Sequence, residues 1–285
     1  MTTPESTAAP EPSPYRGRVI AVGTQHGKQH QFALPFDRVL GAQLVTPALD
    51  TDQFGTFSGE VARTCAPTDA ARAKARLAMS VSGLPYGLAS EASYGPLPGG
   101  WLGHEELLLF CDDAAGIEIV EGHRTPSVPG VGQRVSRYDD VGGSLLDGLP
   151  GQAVIVRPCG GVGAITKGIT GTDALRCAIA AAVSASPDGL ALVEPDLRAH
   201  HNPSRRLILI RLAETMARRL ATPCPSCNAP GFGRVDAEPG LPCGVCETPT
   251  PLRRSEIRAC AACGHDESRP FQGTADPAEC PACNP

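Results

Sequence analysis

Four Cys-x-x-Cys pairs stand in the last quarter of the chain: Cys224/Cys227, Cys243/Cys246, Cys260/Cys263 and Cys280/Cys283. Each pair is a short turn able to aim two sulfurs at one metal ion, and two pairs complete the tetrahedral four-thiolate set of a closed structural zinc site. The pairs are separated by 13 to 16 residues, the spacing of ribbon-like zinc modules, and four pairs make two sites with no cysteine of the motif left over. Asn228 and Gly264, directly after the second cysteine of their pairs, tolerate the left-handed backbone that closes such a turn. A disulfide framework would need an oxidising compartment. The first residues show no basic start followed by an apolar stretch, so no signal peptide and a cytoplasmic location are expected. The expectation is two structural zinc ions, with an iron–sulfur cluster as the alternative for the same thiolates. Consecutive pairing needs only local loop closure, so Cys224, Cys227, Cys243 and Cys246 are expected to form one site and Cys260, Cys263, Cys280 and Cys283 the other.

The remaining residues of the 285 are enough for a sizeable core. Residues 1–14, rich in Pro, Ser, Thr and Glu, read as a disordered leader. Residues 15–221 read as an α/β domain, a mixed sheet with flanking helices, and residues 222–285 as a double zinc-ribbon module. Short apolar runs at 18–22, 43–46, 106–111, 117–120, 152–157, 165–169 and 189–193 predict strands. Helices are predicted over 67–82, over 172–184 with Thr172 as N-cap, and over 203–220. The last has Asn202 as N-cap, Pro203 in its first turn, and a stripe of Leu207, Ile210, Ala213, Ala217 and Leu220. The net charge of −5 and an aromatic content of 4% disfavour a general nucleic-acid grip. No apolar run approaches the ~20 residues of a membrane span.

Polar residues cluster after strand ends, where α/β sheets gather their ligands. Thr24, His26 and Lys28 lie in a glycine-bracketed loop after the first strand, and Asp50, Asp52 and Glu60 follow the second. Glu91 is the only charge in a run of small residues. Asp196, Arg198, His200 and Arg205 crowd one strand-to-helix corner. Converged, the carboxylates would suit a hard cation, Mg²⁺ or Mn²⁺, with Asp50 and Asp52 as ligands. Glu60, Glu91, Asp196, Arg198 and His200 would then be the catalytic candidates. Thr24, His26, Lys28, Lys74, Lys167 and Arg205 would hold a substrate's phosphates. The bland alternatives are that Asp50 and Asp52 bond their own turn, and that Lys74 belongs to a solvated helix face.

Residues 23–28 (GTQHGK), 50–60 (DTDQFGTFSGE), 89–96 (ASEASYGP), 194–206 (EPDLRAHHNPSRR) and the four cysteine pairs together resemble a bacterial family, the domain of unknown function numbered 6671. The resemblance runs from about residue 15 to residue 285. It implies an N-terminal α/β domain and a C-terminal four-CxxC zinc module, and no activity. Members usually carry Gly where this chain has Ala92 and His where it has Leu97, so a residue near Glu91 able to meet a ligand is missing here. The order of loop, lysine-bearing helix, acidic Ser-Glu loop at Glu91 and paired strands is also similar to house-cleaning nucleoside triphosphate pyrophosphatases. That likeness implies phosphate contacts at Thr24, Lys28 and Lys74 and metal ligation at Glu60 and Glu91, with His26 in place of the usual Asn.

Two functions are therefore expected to compete. One is a metal-dependent hydrolase acting on a nucleotide or phosphorylated small molecule. The other is a non-enzymatic ligand sensor whose zinc tail docks a protein partner. Nucleic acid is not an expected partner, because the acidic residues of the tail offset its arginines.

Overall fold

The apolar run Val19–Val22 forms strand β1, followed by helix α1 (Gln29–Leu40), β2 (Gln43–Val45), α2 (Pro67–Ser82), β3 (Tyr86–Pro96), β4 (Leu102–Asp112) and β5 (Ile117–Thr125). These five strands make one sheet, ordered β2-β1-β3-β4-β5. The computed structural model describes residues 13–55, 61–97, 100–126, 131–160 and 163–285. Glu60 and residues 1–12 of the expected leader lie outside the described residues. β1 runs parallel to β2 and β3, while β3, β4 and β5 form an antiparallel meander.

Side chains alternate across the sheet with the period of two that a pleated strand imposes. Leu88, Leu108 and Phe110 face α1 and the last long helix, α5 (Pro203–Leu220). Ala89, Leu107 and Leu109 face Ala71, Ala75 and Met79 of α2. The small residues of α2 let it lie close to the sheet.

Between β5 and α5 the chain builds a second sheet. Its elements are β6 (Gln133–Val135), α3 (Gly143–Leu146), β7 (Val154–Pro158), β8 (Thr166–Ile169), α4 (Thr172–Ala185) and β9 (Ala191–Pro195). The strand order is β6-β9-β7-β8, all neighbours antiparallel. Val154, Val156 and Val193 pack on Leu175 and Ile179 of α4 in a core of their own. The mixed α/β expectation thus holds, with its strands divided between two sheets.

The zinc-ribbon-like module follows as β10 (Gly233–Pro239), β11 (Arg253–Ala259) and β12 (Asp266–Pro270), an antiparallel sheet. It seats on β5 at Gly231, where a Cβ would come within 2.1 Å of Ile119. Arg219 of α5 ties the joint by donating to the Gly231 carbonyl at 3.1 Å and to Glu121 at 2.8 Å.

Residues 29–40, for which the sequence predicted no element, form α1 although Pro35 lies inside it; a proline removes one backbone donor, and the packing of Phe32, Phe36 and Leu40 in the core offsets that loss. Three local expectations are corrected. Glu91 does not lie on a loop but midway along β3. The N-cap of α4 is Gly171, with no side-chain bond, and not Thr172. Leu207 is exposed, because the buried stripe of α5 runs through Leu209, Leu212, Met216 and Leu220. Asn202 caps α5 as expected, accepting from the Arg205 amide at 3.1 Å.

Candidate functional site

The eight motif cysteines gather in two quartets, Cys224, Cys227, Cys260 and Cys263 in one and Cys243, Cys246, Cys280 and Cys283 in the other. The consecutive pairing is overturned. β10 and β11 form a hairpin in which Gly233 stands opposite Ala259, so the first and third turns meet at one end. The second turn lies in the hairpin's connection, at the other end, where Cys243 bridges to Ala275 and draws in the fourth. A seven-residue strand spans roughly 23 Å, so neighbouring turns along the chain are held apart. Sulfur separations are 3.7 Å for Cys227–Cys260 and 3.8 Å for Cys224–Cys263, with 3.6 Å for Cys246–Cys280 and 3.8 Å for Cys243–Cys283. Four thiolates about 2.3 Å from a central zinc stand close to 3.8 Å apart, so both quartets could hold a metal ion such as zinc.

A cavity of about 60 Å³ lies where the two sheets of the α/β region meet. The pairing of β1 with β3 ends at Val22–Leu88, and β3 continues past it, leaving Ser90 and Glu91 at an uncovered strand edge. Gly23 marks the turn: a Cβ there would stand 2.3 Å from the Lys74 carbonyl, so only glycine lets β1 end against α2. Thr24, His26 and Lys28 follow in the loop, and Gln25 ties it to the loop after β2 by accepting from the Thr51 amide at 3.0 Å. From the other side come Lys167 of β8, Arg198 after β9 and Arg205 of α5.

The structure therefore brings Thr24, His26, Lys28, Asp52, Lys74, Glu91, Lys167, Arg198 and Arg205 to one cavity. Asp196 lies fully buried behind Arg198, at 2.6 Å, and also accepts from the Gly168 amide at 3.1 Å. His200 stacks on His26 with ring centres 5.4 Å apart and tilts against His201 at 4.1 Å. Asp50 is exposed and accepts from the Asp52 amide at 2.8 Å, the turn-bonding alternative. Lys74 does not lie on a solvated face; it is only 8% exposed.

Among the described lining residues, five cations (Lys28, Lys74, Lys167, Arg198, Arg205) oppose two carboxylates (Asp52, Glu91). The carboxylates are already engaged. Glu91 lies 2.6 Å from Lys74 and 3.4 Å from Arg63, and Asp52 lies 3.2 Å from His26. Behind Arg205, the fully buried Glu106 accepts two bonds from its guanidinium at 2.8 and 2.9 Å. Burial alone would push the Glu106 carboxyl up, but Arg205, His104 and Lys28 outweigh it and hold it at about 2. Among the described residues, no group of three or more His, Asp or Glu side chains is gathered to hold a metal ion, so Mg²⁺ or Mn²⁺ gains no support here.

Burial and the neighbouring Arg205 push the Lys28 ammonium down to about 8, against the opposing pull of Glu106 and Glu91. The side chain is half-exposed because it lines the cavity, while its nitrogen sits deep, donating to Ser90 Oγ at 3.1 Å. Burial, with His201, Arg198 and His26 nearby, pushes His200 down to about 4, and its buried Nδ1 has no hydrogen-bond partner. Sequence reasoning missed Ser90, Arg63 and Glu106. Ser90 stood beside Glu91 as one of several small residues, and the other two carried no signal but their charge.

A family model described as Domain of unknown function (DUF6671) matches residues 74–285. The chain belongs to this family. DUF6671 as matched here spans Lys74, Glu91, Lys167, Arg198, Arg205 and both cysteine quartets, and begins after the Thr24–Lys28 loop. No curated protein and no solved structure matches the chain, and the similarity to house-cleaning pyrophosphatases finds no support. No helix among the described residues is long and apolar enough to cross a membrane.

Proposed function

We propose that the cleft between the two sheets binds the phosphate of a phosphorylated small molecule, with the zinc-ribbon module as a metal-stapled appendage. The carrying observation is the charge balance among the described residues: five lining cations against two lining carboxylates, each carboxylate already beside a cation or histidine, with Asp196 and Glu106 set back behind Arg198 and Arg205. Cations held in a partly desolvated cavity attract an anion more strongly than they would in water. A phosphate offers the several oxygens that guanidinium forks and ammonium groups match. The same balance disfavours a hydrolase built on a divalent cation, since recruiting one would break ion pairs that the fold uses.

Calorimetry with inorganic phosphate and with Mg²⁺ tests this. Phosphate is expected to bind and to raise the melting temperature, as any ligand preferring the folded state does. Arg198→Ala and Lys167→Ala are expected to weaken that binding. Mg²⁺ alone is expected to leave melting unchanged. Stabilisation by Mg²⁺ without any by phosphate would sink the reading in favour of the metal-dependent one. A ligand-sensing role, with the zinc tail docking a protein, stays the alternative should phosphate bind without turnover.

A further inference from the structure

We propose that Ser90 is the nucleophile of this cleft, attacking the phosphorus of a phosphate monoester while Lys28 takes its hydroxyl proton. The inference rests on the phosphate-binding reading above. Ser90 is 3% exposed and lines the cavity at the uncovered edge of β3, where β1 has ended. Lys28 Nζ lies 3.1 Å from Ser90 Oγ and 3.4 Å from the Ser90 carbonyl oxygen. The other cations divide their work differently. Lys74 is held by Glu91, Arg198 by Asp196 and Arg205 by Glu106. Among the described residues Lys28 forms no ion pair, so a hydroxyl and not a carboxylate is its nearest side-chain partner. Hydroxyl and base within hydrogen-bond reach, beside fixed positive charge, is the arrangement an activated serine needs.

The step balances as follows. The Ser90 Oγ–H bond breaks and its proton passes to neutral Lys28. Oγ bonds to phosphorus as the bond from phosphorus to the ester oxygen breaks, and the departing alkoxide takes the proton from Lys28. Water then attacks the phosphoserine. Lys28 accepts the water's proton and returns it to Ser90 Oγ as the Oγ–P bond breaks, releasing inorganic phosphate. The sum is ester plus water to alcohol plus phosphate, with no oxidant, reductant or metal required. Arg198, Arg205 and Lys167 neutralise the charge spread over the equatorial oxygens.

The neighbours of Lys28 suit a base. Burial chiefly, with Arg205 from α5 and Lys74 from α2, disfavours its charged form, while Glu106 from β4 and Glu91 from β3 favour it. With its value near 8, an appreciable neutral fraction exists close to neutrality.

The zinc-loaded full chain should be titrated with inorganic phosphate and assayed with p-nitrophenyl phosphate. Phosphate is expected to bind wild type and Ser90→Ala with comparable affinity, while hydrolysis falls at least about 100-fold in Ser90→Ala, the scale of removing an activated group. Lys28→Arg keeps the positive charge but cannot lose its proton; it should abolish the rise of the rate with pH through about 8 seen in wild type. Acid-quenched protein should carry an acid-stable phosphoserine at Ser90. An acid-labile adduct mapping to His26, or hydrolysis unchanged in Ser90→Ala, overturns the proposal. Phosphate binding without hydrolysis in wild type overturns the nucleophile and leaves the binding reading standing. No phosphate binding in wild type sinks the binding reading itself.

Discussion

Lys74 Nζ lies 2.6 Å from Glu91 Oε2, a pair only 8% and 5% exposed that joins α2 to β3 beneath the cavity. The sequence suggested a carboxylate waiting for a cation. The fold supplies the cation from its own helix.

Glu91→Gln is therefore expected to destabilise the protein by about 3–5 kcal/mol, because it leaves the buried Lys74 ammonium without its counter-charge. Had Glu91 belonged to a set of mutually repelling carboxylates, the same change would cost little. Denaturant unfolding of the two proteins separates these outcomes. An unchanged midpoint would show that the pair contributes no stability.

The cross-braced cysteine pairing is testable by truncation. A chain ending at residue 252 keeps the first two Cys-x-x-Cys turns and loses the partners of both, Cys260 and Cys263 for one and Cys280 and Cys283 for the other. It is expected to retain no four-thiolate zinc, whereas the full chain is expected to hold two. One tightly held zinc in the truncated protein would restore the consecutive pairing.

Chelation of the full chain is expected to unfold residues 222–285 and leave the two sheets of the α/β region folded. The module's small cluster of Cys224, Phe232 and Cys260 is a poor core. Structural zinc in small modules supplies on the order of 10–16 kcal/mol per ion. Limited proteolysis after chelation should release the tail alone; cleavage within β1 to β5 would contradict this.

His200 should make stability fall on acidification. Its folded value of about 4 lies below the ordinary one, so between about 6.5 and 4 the unfolded chain takes a proton that the folded chain refuses. Stability is fully present above about 6.5 and declines as pH drops toward 4. His200→Gln should flatten this window in part, since His201 is shifted in the same direction. An identical pH profile of unfolding in the variant would remove His200 as the cause.

Gly23→Ala is expected to cost about 1–3 kcal/mol, as overpacking does, and to weaken phosphate binding, because β1 would be pushed off the Lys74 carbonyl that its added Cβ meets at 2.3 Å. Melting and phosphate titration of the variant check both effects. A stable variant with intact binding would show that the close approach can relax.

Local chemistry was legible in the chain itself. The Cys-x-x-Cys turns, the Asn202 cap and most strands depend on residues a few positions apart, whose geometry the backbone fixes without help from the rest of the fold. The clustering of Thr24 and Lys28 after parallel strand β1 was within reach, because the ends of parallel strands share one edge, whereas Lys74 arrives from a helix and Lys167 and Arg198 from an antiparallel sheet. What joins to what was decided only in three dimensions. Doubling a loop costs only ~0.6 kcal/mol, so closure entropy barely separates the two cysteine pairings, and the register of β10 on β11 chooses between them. The pairing of the pocket's charges was decided in the same way. Arg63, Glu106 and Arg205 are remote in sequence, and only packing sets Arg63 and Lys74 beside Glu91 and Arg205 on Glu106, with five cations and two carboxylates among the described lining residues.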